Sequence, residues 1–276
     1  MGDISMGSVR VVFYSATGNT RKIAESIGET VSWHMGMPVS YSDYSRPDVR
    51  KIQISLDVDD ILVFCTPVYR GKLPPYIFDD IGSKLKGSGG YAICAMTYGN
   101  RAVDNAFADM VQTVRDLGFV PASAVSFPCR HCYTDVLAGD RPNGDDLSCA
   151  RRFAERSCGL IREGIGERTL TVPGVAGGPA YVPLGADGNP ISFHDAVPVT
   201  DMSICTGCGR CAELCPLGSI DASDVFVLKG PCFKCQACVR GCPEGAKRFT
   251  DERFVSHVRQ IESRFADRKE IEAYFA

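Results

Sequence analysis

Two cysteine runs with one spacing constrain this 276-residue chain more than any other feature: Cys205-x2-Cys208-x2-Cys211-x3-Cys215-Pro216 and Cys232-x2-Cys235-x2-Cys238-x3-Cys242-Pro243. Eight thiols so close together must be cross-linked or bound to metal. The N-terminus, MGDISMGSVRVVFY, has no basic segment followed by an apolar core, so a signal peptide is not expected and a cytoplasmic location is. Reducing cytosol does not maintain a disulfide framework, so the fourteen cysteines of the chain point to metal. Zinc sites also use C-x2-C pairs. Three cysteines at successive x2 spacing, closed by Cys-Pro, are instead the spacing of iron–sulfur cubanes, and two [4Fe-4S] clusters are expected.

Residues 201–250 resemble a bacterial 2[4Fe-4S] ferredoxin module. A tight loop offers three thiolates to one cubane, and a fourth from the same short segment points away. The resemblance therefore implies that Cys205, Cys208, Cys211 and Cys242 hold one cluster. It implies that Cys232, Cys235, Cys238 and Cys215 hold the other. Gly207, Gly209 and Gly241 are expected to let backbone amides approach the sulfurs.

Upstream, short apolar runs alternate with stretches of helical length. VRVVFY (9–14), DILVFC (60–65), YAICAM (91–96) and SAVSF (123–127) read as strands buried on both faces, with a weaker fifth near 37–44. Residues 20–35, 76–86, 101–117 and 145–163 have helical spacing. That alternation predicts α/β architecture, a doubly wound five-stranded parallel sheet over residues 1–168. The first strand runs into Ser15-Ala16-Thr17-Gly18-Asn19-Thr20 and then a helix. This is neither G-x-G-x-x-G nor a lysine-bearing P-loop. A hydroxyl-rich turn at a helix N-terminus still attracts phosphate, and without lysine a terminal monophosphate suits it best.

S-x-T-G-N-T after the first strand resembles the FMN-phosphate loop of flavodoxins. The likeness extends to Thr66-Pro67-Val68-Tyr69-Arg70-Gly71-Lys72 and to Thr97-Tyr98-Gly99-Asn100-Arg101, each following a strand. With the cysteine module attached, the chain resembles the flavodoxin–ferredoxin fusion proteins of anaerobes. The resemblance implies that Ser15, Thr17, Gly18, Asn19 and Thr20 hold the phosphate and that the other two loops flank the isoalloxazine. Tyr69 and Tyr98 are then the candidates for stacking on the ring. Arg70, Lys72 and Arg101 depart from the acidic or neutral groups usual in flavodoxins, and a cation near the ring would raise the flavin's potential.

Residues 169–200 are rich in proline and glycine without helical period, and read as a linker docked through Tyr181, Ile191 and Phe193. Residues 251–276 are expected to end the chain as a helix, with Phe254, Val258, Ile261 and Phe265 as its packing face. Residues 201–276 carry 11 basic and 11 acidic side chains within a total of 30 and 33, so nucleic-acid binding is not expected. No run reaches the roughly 20 apolar residues of a membrane span. Cys65 and Cys94 read as core residues, whereas Cys129-Arg130-His131-Cys132 opens a loop at the flavin end of the sheet. Flavins exchange electrons singly or in pairs and clusters singly, so the expected function is an electron relay between clusters and FMN, to or from a cytosolic redox partner such as a ferredoxin, flavoenzyme or reductase. The alternative is an FMN-dependent reductase of a small substrate that draws electrons from the clusters.

Overall fold

The computed structural model describes residues 7–276, and its central sheet forms where the apolar runs lie. Strands β1 (Val9–Phe13), β2 (Val39–Asp43), β3 (Ile61–Pro67), β4 (Tyr91–Tyr98) and β5 (Val120–Pro128) are parallel, in the order β2-β1-β3-β4-β5. Both faces of β3 and β4 are buried, which is why they read as unbroken apolar runs rather than alternating ones. Register is set by Val9 facing Ile61 and Ile61 facing Tyr91, with one irregularity at Ala92/Ile93 where β4 meets β5. The strand order reverses between β1 and β3, so their carboxyl ends open into a crevice. That is the flavodoxin-like, doubly wound arrangement.

Helices α1 (Asn19–Met35) and α4 (Gly144–Glu163) cover one face, burying Ile23, Ala24, Ile27 and Val31 against Ala150, Phe153, Ala154 and Cys158. Helices α2 (Pro75–Lys84) and α3 (Ala106–Asp116) cover the other through Ile77, Ile81, Phe107, Met110 and Val114. Helix α3 starts at Ala106, later than the expected 101, because Asp104 lies in the left-handed region at φ 48°. Cys65 and Cys94 are 1% and 0% exposed in this core.

The C-terminal helix is shorter than the 251–276 expected. Helix α5 runs only from Glu252 to Arg264, capped by the Asp251 carboxylate, which accepts from the amides of Arg253 and Phe254. The last residues form a strand, β6 (Glu272–Phe275), antiparallel to β5 with Tyr274 facing Ala124. The sheet therefore has six strands, and the sixth comes from beyond the cysteine module. Residues 54–56 and 85–87 form a further, two-stranded parallel ladder that the apolar pattern does not announce. The chain leaves the sheet after α4, builds the cysteine module, and returns to the same sheet. Both ends of the return are pinned: Asn100 Nδ2 donates to the carbonyls of Phe265 (2.7 Å) and Asp267 (2.9 Å), and Arg141 donates to that of Lys269 (2.7 Å). Arg50, buried, donates to the carbonyl of Pro216 at 2.5 Å and pairs with Asp80.

Candidate functional site

The carboxyl ends of the parallel strands open into a cleft of about 860 Å³. Its floor at the β1 end is the Ser15–Thr20 turn. Gly18 takes φ 91°, a conformation that strongly favours glycine, and thereby turns the chain into α1. The amide of Ser15 donates to Ser45 Oγ, and that of Arg21 to Ser15 Oγ. Between them, the amides of residues 16–20 have no acceptor among the described residues, and the first turn of α1 carries no acidic side chain. A run of free N–H groups at the positive end of a helix dipole is the chemistry of a phosphate site. Thr17, Asn19 and Thr20 line the cleft there; Thr20 Oγ1 lies 2.7 Å from Thr97 Oγ1, and Asn19 Nδ2 donates to Arg130 O. Ser15 serves the turn itself rather than the cleft.

The residues of the two other loops divide in their roles. Pro67, Val68, Tyr69, Arg70 and Lys72 line the cleft, as do Thr97, Tyr98, Gly99 and Arg101. Gly71 and Asn100 do not line it: Gly71 (φ 71°) makes room for Asp104, and Asn100, 1% exposed, holds the C-terminal return described above. Gly99 gives His131 its place, since a Cβ there would stand 2.1 Å from the imidazole. Tyr69 meets Tyr14 edge-on (centroids 6.2 Å) and Phe233 at 5.7 Å, a half-buried aromatic wall. Tyr98 is only 8% exposed; burial, the nearby carboxylate of Glu272 and opposing Arg141 set its hydroxyl at about 12, which places it on the tail side of the sheet. The three cations are engaged rather than free. Arg70 donates to the carbonyl of Tyr181, Lys72 to that of Gly178 while pairing with Asp109, and Arg101 pairs with Asp104 and covers the Tyr181 ring at 3.9 Å. They fasten residues 177–181 across the cleft, and Asp104 and Asp109 neutralise two of the three charges.

That strap makes a roof the sequence reading did not foresee. Tyr181, Ile191 and Phe193 from residues 169–200, His257 and Ile261 from α5, and Phe233 from the cysteine module line the same cleft as the phosphate turn. Cys132 and His131 also line it. Cys132 is a half-buried thiol pushed up to about 12 by desolvation, with Arg240 opposing, so it is not a reactive thiolate. His131 is held down to about 3 by burial, reinforced by the positive charges of His257, Arg101 and Arg240. Its folded value lies below the ordinary 6.5, so acid protonates the unfolded chain first and stability falls as pH drops from 6.5 toward 3. His131→Gln cannot take that proton. Its melting temperature, followed by circular dichroism between pH 6.5 and 4, should fall less steeply than that of the wild type. The difference approaches at most about 1.4 kcal/mol per pH unit.

The cysteines assemble as two quartets. Cys205, Cys208, Cys211 and Cys242 line one small cavity; Cys215, Cys232, Cys235 and Cys238 line another. The backbone repeats with the sequence. Gly207 and Gly209 take φ 70° and 74°, and their counterparts Lys234 and Gln236 take 62° and 66°; Gly218 and Gly245 match at 63° and 64°. Each run then enters a one-turn helix, Arg210–Glu213 or Ala237–Arg240. Each crossing cysteine accepts from the amide four residues on, Ser219 to Cys215 Sγ and Ala246 to Cys242 Sγ, both at 3.3 Å. Left-handed turns that aim amides inward form a nest for an anionic group such as a cluster. The non-glycine residues at 234 and 236 keep this strained backbone because Lys234 Nζ donates to the carbonyls of His194 and Cys232. Gly241 has another task than the one expected: it makes room for Leu214. In both quartets the residues fit cubane clusters: four thiolate donors around a common cavity, with amides directed at sulfur.

Residues 198–221 match the 4Fe-4S binding domain family, a segment that contains Cys205, Cys208, Cys211 and Cys215. The Escherichia coli (strain K12) protein "Putative oxidoreductase UacF" is 30% identical over 83 residues, 28% of this chain. The match spans only 13% of that curated relative's length. Among solved structures, a Streptococcus pneumonia TIGR4 flavodoxin shares 18% identity over 57% of this chain and 99% of its own, with TM-score 0.40. A flavodoxin from the domain Archaea shares 14% over 56% and 99%, also with TM-score 0.40. No helix among the described residues is long and apolar enough to cross a membrane. The chain joins a flavodoxin-like sheet, read from its strand order, to a segment that matches the 4Fe-4S binding domain.

Proposed function

We propose that this protein relays single electrons between two [4Fe-4S] clusters and one FMN, to or from a redox partner protein in the cytoplasm. The observation that carries the reading is one shared wall. Cys232, Phe233 and Lys234 line both the cavity of the second cysteine quartet and the cleft beside the phosphate turn. Phe233 enters the flavodoxin-like domain between Tyr14, Tyr69 and Tyr76, at centroid distances of 6.2, 5.7 and 5.9 Å. The quartet of Cys215, Cys232, Cys235 and Cys238 is therefore proximal to the flavin site, and the quartet with exposed Cys208 is distal and reachable by a partner. Clusters supply one-electron steps and the flavin the choice of one or two. The protein's own part is to hold these sites at fixed separation and keep water out between them. Arg50 on the Pro216 carbonyl, Arg240 on the Cys132 carbonyl and Asp135, and Thr134 on Glu262 fix the module against the sheet.

Tyr14 gives the proximal quartet a distinct environment. It is 1% exposed, its Oη has no hydrogen-bond partner among the described residues, and it stands beside Cys235 and Tyr69. A buried hydroxyl without a partner is costly, and a sulfur of a cluster held by that quartet would satisfy it. Tyr14→Phe should lower the proximal cluster's potential by tens of millivolts, since hydrogen bonds to sulfur raise it, and leave the distal one unchanged. Redox titration followed by electron paramagnetic resonance reads both. Iron, sulfide and flavin counts on anaerobically purified protein test the reading itself: about eight irons and one FMN are expected. Zinc in place of iron, or no flavin, contradicts it. The second reading, a reductase acting on a small substrate at the flavin, is favoured by the roof over the cleft, which a carrier exchanging electrons through an open flavin edge has no use for.

A further inference from the structure

Three polar groups on the wall of the cleft have no protein partner, and two have their proton positions fixed by the backbone. His131 Nδ1 accepts from the amide of Tyr133 at 3.1 Å, so in the neutral ring Nε2 carries the proton. His257 Nδ1 lies 2.9 Å from the carbonyl of Leu184; a carbonyl only accepts, so here Nδ1 carries the proton and Nε2 is a bare acceptor. Both side chains line the cleft, and neither Nε2 makes a hydrogen bond among the described residues. Burial, and the positive charges around each, lower both imidazoles below their ordinary range, so each is neutral near pH 7. The third group is the Tyr181 hydroxyl, buried without a partner, its ring fixed by Arg101.

The surroundings of these groups are flat, and the positive charges near them, Arg70, Arg101 and Arg240, are engaged by other partners. Phe193 lies against His257 at 5.3 Å and 31°, and Tyr181 at 6.2 Å and 39°; Ile191 and Ile261 complete the wall. Five cations line the cleft, each with a partner: Lys72 and Arg101 pair with Asp109 and Asp104, Arg130 stands 3.7 Å from Asp135, and Arg70 and Lys234 donate to backbone carbonyls. An anionic substrate would have to compete with these partners for charge, and a purely apolar one would leave three polar groups unpaired, which is costly. From this geometry we propose that the roof is a substrate site for an uncharged, planar ring compound bearing a carbonyl and an N–H or O–H, the carbonyl accepting from His131 Nε2 and the N–H or O–H donating to His257 Nε2. The site rests on the FMN reading, because only the flavin beside it makes such a ligand a substrate. His131 and His257 are the residues that determine its specificity. The sheet contributes only His131, and the strap and α5 contribute the rest, so a flavodoxin-like domain alone has no such site.

Oxidised holoprotein with one FMN per chain, verified first by flavin release and absorbance, tests this with 2-quinolone and 4-quinolone. These uncharged bicyclic lactams hold carbonyl and N–H close together or far apart; their N-methyl counterparts lack the donor. Binding is read as the perturbation of the flavin spectrum. At least one parent should bind below millimolar Kd, and its N-methyl form about tenfold more weakly, one lost hydrogen bond. His257→Leu should remove that tenfold preference, and His257→Gln, whose amide oxygen accepts, should restore it. His131→Leu should weaken parent and N-methyl form alike by about tenfold and keep the preference between them. Holoprotein that binds neither parent, prefers 2-naphthoate, or keeps the N–H preference in His257→Leu overturns the proposal. Absence of FMN would instead overturn the reading beneath it.

Discussion

Replacing Cys215 by Ser should leave about four irons per chain in place of about eight, and the cluster lost should be the one held by the other run, beside the flavin. Cys215 sits in the first run by sequence, yet it lines the cavity of Cys232, Cys235 and Cys238. A chain in which each run held its own cluster would lose the distal one. Cys242→Ser is the mirror experiment: Cys242 lines the cavity of Cys205, Cys208 and Cys211. The two variants should differ sharply in function. Without the proximal cluster, electrons delivered at the surface have no path to the flavin, and partner-driven flavin reduction should fall by two orders of magnitude or more, about 2.7 kcal/mol or more of barrier. Iron and sulfide assays with electron paramagnetic resonance of each variant decide the crossing directly.

Asn19→Asp should weaken FMN binding by about a hundredfold while leaving the fold more stable. The carboxylate would enter the first turn of α1, where the amides of residues 16–20 have no acceptor and no acidic side chain stands. It would neutralise the helix terminus, worth about 0.5–1 kcal/mol to the apoprotein, and it would repel a phosphate dianion from the same amides. The lost bond from Asn19 Nδ2 to Arg130 O offsets part of that gain. Opposite signs on affinity and stability distinguish a phosphate site from an ordinary helix start, where the substitution would raise stability and change no ligand. Fluorescence quenching of added FMN measures the first effect, and thermal melting of the apoprotein the second.

These predictions stand on features of unequal legibility. The cysteine quartets were readable because cluster geometry dictates spacing, and the same spacing recurs with matching backbone angles at 207 and 234, 209 and 236. The parallel strands were readable because strands buried on both faces are continuous apolar runs. Strand β6 was not: Glu272–Phe275 is four residues long, too short for any periodicity to register, and its pairing with β5, Glu272 with Ser126, spans about half the chain. Nor was the roof. Tyr181, Phe193 and His257 lie in a Pro/Gly-rich stretch and on an amphipathic helix, where composition signals docking but not the surface docked upon. Phe233 carried a hint, a large aromatic between two cysteines in a loop that should be polar. Arg70, Lys72 and Arg101 show the limit most clearly. As letters they promise charge at the flavin; in space they fasten the strap, with Asp104 and Asp109 beside them. Only the fold reveals that these carboxylates, Asp104 just before α3 and Asp109 in its first turn, reach back.

The electron relay is tested most directly by reducing the clusters with substoichiometric dithionite under anaerobic conditions and following flavin absorbance in a stopped-flow instrument. The cleft and the proximal cavity share Cys232, Phe233 and Lys234, so transfer should be intramolecular: a first-order phase with one rate at every protein concentration, lost in Cys215→Ser. A rate that scales with protein concentration, or flavin reduction that survives that substitution, would contradict it.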